Sequence, residues 1–102
     1  MNPSSERREV RVSSAFFEML DLQLRPDRGP NGEPSATDFL VIDLPEIVDA
    51  FVVGFDELPE VVEGLGSARV YIGAGALVSG VAVYGVEIAD GVVELIGVEI
   101  DP

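Results

Sequence analysis

The chain has 102 residues, the length of one domain with a single core. Nineteen acidic and six basic residues give a formal charge of −13, and 47% of the residues are hydrophobic, too many for a disordered acidic tail. There is no Cys, His or Lys, and the six basic residues are Arg7, Arg8, Arg11, Arg25, Arg28 and Arg69; thiol nucleophiles, imidazole bases, Schiff-base lysines and Cys/His zinc sites are excluded.

Residues 1–8 read as a flexible N-terminal lead and 9–102 as a single α+β domain. Glu9-Val10-Arg11-Val12 alternates and predicts a short strand. Ser13 and Ser14 offer N-caps to a helix over 15–24, with Phe16, Phe17, Leu20 and Leu24 on one face. Residues 25–34 hold three Pro and two Gly and predict a loop. In a second helical region Ser35 or Thr37 caps a first turn through 38–42, and Pro45 interrupts it. Asp43 and Glu46 have capping-box spacing, and Ile47, Val48, Phe51, Val52 and Phe55 form an amphipathic stripe. Strands are expected over 68–72, 78–88 and 92–100. The expected fold is a short N-terminal strand, two helical segments on one face, then a three-stranded antiparallel sheet.

Asp90-Gly91 is the strongest hairpin signal in the chain. A two-residue loop there sets Ala89 opposite Val92, Val86 opposite Leu95, Tyr84 opposite Gly97 and Glu87 opposite Glu94. The hairpin is then apolar on both faces. The helices cover one, and Val81, Val83, Ile96, Val98 and Ile100 share the other, which is expected to meet the N-terminal strand region, a second copy or a partner.

The order strand, helix, helix, three strands, with the closing run Gly80-Val-Ala-Val-Tyr84-Gly-Val-Glu-Ile88-Ala-Asp90-Gly91-Val-Val-Glu-Leu95-Ile-Gly-Val98, resembles the RelE/ParE superfamily of bacterial toxins. The resemblance spans residues 9–100. It implies a toxin–antitoxin protein, with Tyr84 and, loosely, Arg69 matching functional positions. The last strands carry no Arg, Lys or His of the kind that RelE-type ribonucleases set against mRNA, so nuclease activity is expected to be absent.

The charge is uneven. Residues 1–30 balance five Arg with five acids, whereas 31–102 hold fourteen acids and Arg69 alone. Such a surface repels phosphate, so neither nucleic acid nor an anionic membrane is an expected partner, and basic proteins are attracted. The same charge keeps a valine-rich domain soluble and is also a salt-adaptation device. No apolar signal segment stands in residues 1–12. The longest uncharged run, 70–86, is Gly-interrupted and short of the ~20 residues of a membrane helix. A cytoplasmic location is expected, in keeping with the lack of Cys.

No catalytic residue, metal or cofactor is expected. Gly73-Ala-Gly75-Ala-Leu-Val78 begins like a dinucleotide loop but lacks the third Gly and reads as a turn. Glu87 and Glu94, with Asp90 at the tip, are candidates for holding a cation. Asp49, Asp56 and Glu60 belong to an acidic band on the helical region that suits a basic protein. Three functions fit this pattern: a non-enzymatic interaction module acting as a homodimer or through a partner; an acidic inhibitor or immunity-type protein whose carboxylates stand in for phosphates against a basic nuclease; and an enzyme built on Asp, Glu, Arg and Tyr.

Overall fold

The structure, a computed structural model, describes residues 7–101; of the lead at 1–8 only Arg7 and Arg8 lie within the described residues. The chain runs through β1 (Glu9–Val12), α1 (Ser14–Gln23), a one-turn α2 (Ala36–Asp38), a π turn (Phe39–Asp43), α3 (Leu44–Gly54), a 3-10 turn (Phe55–Glu57), β2 (Ala68–Gly73), β3 (Gly80–Ala89) and β4 (Val92–Asp101). The α+β class holds, but the sheet is four-stranded and mixed, in the order β1-β4-β3-β2, with β1 parallel to β4. The three antiparallel strands gain β1 because parallel pairing sets Val10 beside Val93 and Val12 beside Leu95, so β1 extends the apolar face under the helices.

Local chemistry explains the helices. The Ser13 hydroxyl accepts from the Phe16 N–H at 3.2 Å and starts α1, which buries Phe16 and Leu20 but leaves Phe17 partly exposed, edge-on to Phe16. Ser35 caps α2 in a full capping box with Asp38. The helix does not break at Pro45. The N–H of Leu44 reaches back to Phe39, one residue further than in an α-helix. This widened turn sits where Pro45 lacks an N–H and its ring would crowd the carbonyl of Val41. Asp43 therefore does not cap α3, and its carboxylate goes elsewhere.

The hairpin register departs from simple alternation in its middle. Ala89 opposes Val92, Tyr84 opposes Gly97 and Val83 opposes Val98, as expected. Between them Glu87 opposes Val93, Val86 opposes Glu94 and Gly85 opposes Leu95. Ile88 is the extra residue on β3 and Ile96 the extra residue on β4: two bulges that cancel. Gly91 takes a φ of +78° while Asp90 does not turn positive, so the turn is not the type I′ that an Asp-Gly pair suggests, and the ladder takes up the difference beside it.

These bulges and the helices decide which face is the core. Val93, Leu95 and Val98 all point inward, with Val81 and Val83, against Phe16, Leu20, Phe39, Ile47, Phe51 and Phe55. Val81, Val83 and Val98 thus do not lie on an outer face, and Ile100 is half-buried against the same core. Only Ile96, at its bulge, is exposed. The reason lies partly at Gly85: a Cβ there would stand 2.6 Å from Cε1 of Phe51, so the face that carries this glycine is the one with room for α3.

Candidate functional site

The outer face of the sheet carries Ala68, Val70 and Ile72 from β2, Ala82, Tyr84 and Val86 from β3, Glu94, Glu99 and Asp101 from β4, and Glu9 and Arg11 from β1. No helix covers it. Ile72 is 69% exposed, whereas Val70, between Tyr84 and a segment paired to the edge of β2, is 7% exposed. That segment bonds through Val61 N–H to Ala68 O and Val70 N–H to Pro59 O, each at 3.0 Å. The face is an apolar centre of small and branched side chains with carboxylates along the β4 side.

Tyr84 stands in the middle of this face. Its ring lies beside Gly97, and its hydroxyl donates to Oε1 of Glu99 at 2.6 Å. That bond to a carboxylate, with some desolvation, raises the phenol above its ordinary pKa. At the end of the face a shallow cleft of about 300 Å³ is bordered by Ile72, Gly80, Ala82, Glu99 and Asp101. Its floor is small because Gly80 and Ala82 offer no long side chain. The Ser79 hydroxyl donates to the Asp101 carbonyl at 2.9 Å and holds the end of β4 against the start of β3.

The paired-carboxylate site is not formed. Glu87 lies on the inner side, opposite Val93, where it meets Arg8 at 3.3 Å and accepts from the Gly91 N–H at 3.2 Å. Glu94 lies on the outer face, in register with Arg11 of β1. Asp90 stays exposed at the turn. The bulge at Ile88 separates what strict alternation would have set together.

The acidic band on the helices is largely engaged within the chain. Asp56 meets Arg8 at 3.1 Å, and Glu60 accepts from the Gly64 N–H at 3.1 Å and lies 3.9 Å from Arg69; Asp49 is exposed on α3. Arg69 is a brace rather than a site residue: it donates to the carbonyls of Gly66, Asp56 and Leu58. The Phe55 ring carries two guanidiniums, with Cζ of Arg8 at 5.0 Å and of Arg69 at 5.6 Å from its centre. Arg8, placed by sequence in a flexible lead, is thus built into the domain, and its N–H also bonds Val52 O at 2.9 Å. The small polar cleft of about 210 Å³ beside Arg8, Asp56 and Glu57 borders these ion pairs.

Two further residues escaped the sequence. Asp43, 5% exposed, accepts from the N–H groups of Ala76 at 2.6 Å and Leu77 at 3.2 Å, clasping the Gly-rich loop onto α3. A Cβ at Gly75 would stand 2.6 Å from its Oδ2, so the glycine leaves room for the clasp. Gln23, at the end of α1, bonds the open edge of β4 twice: its amide donates to Val98 O at 2.6 Å and accepts from Ile100 N–H at 2.6 Å. The side chain stands in for the peptide of a neighbouring strand. The Gly73–Val78 run contained a signal for the first, an acceptor needed by a loop of free N–H groups; nothing in the sequence marked the second.

Among the described residues no helix is long and apolar enough to cross a membrane. The uncharged run at 70–86 forms the end of β2, a loop and most of β3. No family model matches the chain, and no curated protein or solved structure matches it either.

Proposed function

We propose that the protein is a non-enzymatic interaction module whose outer sheet face receives a basic protein. The observation that carries this is an uncovered sheet face with an apolar centre, Ile72, Ala82, Tyr84 and Val86, flanked by Glu94, Glu99 and Asp101. Apolar contact supplies the affinity and the carboxylates supply sign and steering. A second copy is the poorer occupant, since two such faces would bring like carboxylates together on chains of charge −13. The inhibitor role suits this surface best within the class: carboxylates around an apolar patch imitate phosphates and block a basic nuclease or nucleic-acid-binding target. A RelE/ParE-like fold without ribonuclease chemistry belongs to the same proposal, on the sequence resemblance of residues 80–98 and the absence of Arg, Lys and His from the last strands.

The test is site-specific cross-linking in the native host, with a photoreactive residue at Val86 or Ile72 on the outer face and at Asp49 on α3. The expected adducts form at 86 and 72 with a protein of basic pI and disappear in high salt. Adducts chiefly at 49, or only with a second copy of the chain, would overturn the proposal.

A further inference from the structure

The cleft at the end of the outer face has a shape and a charge that select its occupant. Its floor is Gly80 and Ala82, one wall is Ile72, and the acidic residues Glu99 and Asp101 border it on the β4 side, while the surface lining it is almost wholly apolar. These last two are neighbours on one side of β4, two residues apart. Among the described residues no basic side chain borders the cleft. Glu99 is already oriented, because the Tyr84 hydroxyl holds its Oε1 and leaves Oε2 as an acceptor. A trough that is apolar along its base and anionic along one side suits a long side chain with an apolar stem and a cationic head. On the reading that the outer face binds a basic protein, we infer that this cleft is the anchor point for an arginine side chain of that partner. The stem lies over Gly80 and Ala82 beside Ile72, and the guanidinium forks between Glu99 and Asp101.

Arginine fits better than lysine. Its planar head offers several donors in a fixed fork, which two separate carboxylates on one side of the cleft can use at once. Fixing Glu99 beforehand lowers the ordering cost of binding. Tyr84 is therefore a positioning residue for the anchor, and its effect should vanish when Glu99 is absent.

The test uses the full chain, labelled with nitrogen-15, and three short capped peptides: Val-Arg-Val, the same with lysine, and the same with neutral citrulline. The arginine peptide is expected to shift the amides of Ile72, Gly80, Ala82, Glu99 and Asp101 saturably. Citrulline is expected to bind about tenfold more weakly, the loss of roughly one charged contact, and lysine to fall between. Ala82→Leu, which fills the trough while keeping the charges, should abolish the arginine shifts; Tyr84→Phe should weaken them in the native chain and not in Glu99→Gln. Shifts centred on Asp49 and α3, equal binding of citrulline, full binding by Ala82→Leu or no shifts at all would each overturn the arginine anchor. Cross-links at 86 alongside any of those results would leave the protein-binding role standing, so the two failures are distinct.

Discussion

The two faces of this sheet have similar apolar centres and opposite fates. One face presents Val81, Val83, Val93, Leu95 and Val98 and is sealed by three helical segments. The other presents Val70, Ile72, Ala82, Tyr84 and Val86 and, among the described residues, has no helix packed across it. Hydrophobicity alone does not tell them apart. What does is room and charge: the covered face has Gly85 where Phe51 must approach, and the open face has Glu94 and Glu99 on β4. Burying one such apolar side chain is worth roughly 1.5–3 kcal/mol, which is what the open face would gain from the partner proposed for it.

The sharpest way to break this contrast is a matched pair of charges. Val83→Asp places an unpaired carboxylate in the core and is expected to cost about 4 kcal/mol or more, enough to unfold most of a domain this size. Val86→Asp, three positions further along the same strand and on the other face, should cost below about 1 kcal/mol. Urea midpoints measure both, and equal losses would mean that the faces are wrongly assigned. Next comes the clasp that holds the 74–79 loop to the covered side. Asp43→Ala leaves the N–H groups of Ala76 and Leu77 without their acceptor and should cost about 2 kcal/mol, with fast amide exchange confined to that loop. Smaller still is the edge. Gln23→Ala frees Val98 O and Ile100 N–H and should lower stability by about 1 kcal/mol, with exchange rising along 98–100 and not along β2.

The smallest effect belongs to the open face. The Tyr84 phenol is raised because its proton is shared with Glu99 and its phenolate would face that carboxylate. The bond therefore adds stability at every pH below the ordinary phenol value of about 10, and this is lost as pH rises through the higher folded value. Absorbance near 295 nm should show the Tyr84 transition falling toward about 10 in Glu99→Gln; an unchanged midpoint would mean that the pair is not formed in solution.

Much of the chain was legible. Ser13 and Ser35 as caps, the apolar stripe on α3, the strands and the Asp90-Gly91 hairpin all follow from propensity and period. The facing of the hairpin was the failure, and its signal was present. Glu94 and Glu99 are five positions apart on one strand, an odd spacing that strict alternation cannot turn to the same side. A bulge between them is required, and Ile96 supplies it. The roles of Arg8 and Gln23 were not legible, because each depends on a contact 75 or more residues away that no local pattern encodes. A second, apolar sheet face away from the helices was foreseen, but with the wrong residues on it.

Parallel pairing of β1 with β4 has a consequence for how the chain acquires its shape. The first strand can dock only when the last has been made; the Gln23 bonds wait for β4 as well, and the Arg8 bond to Glu87 waits for β3. During synthesis α1 and α3 emerge with their phenylalanines unsheltered, and only Val10 and Val12 of β1 represent the sheet's covered face until β2–β4 follow. Folding of this kind waits on long-range closure and is slow for the length of the chain. Mutual repulsion among fourteen acids in 31–102 then protects the nascent chain as much as the finished one, by keeping half-made copies apart until β4 arrives.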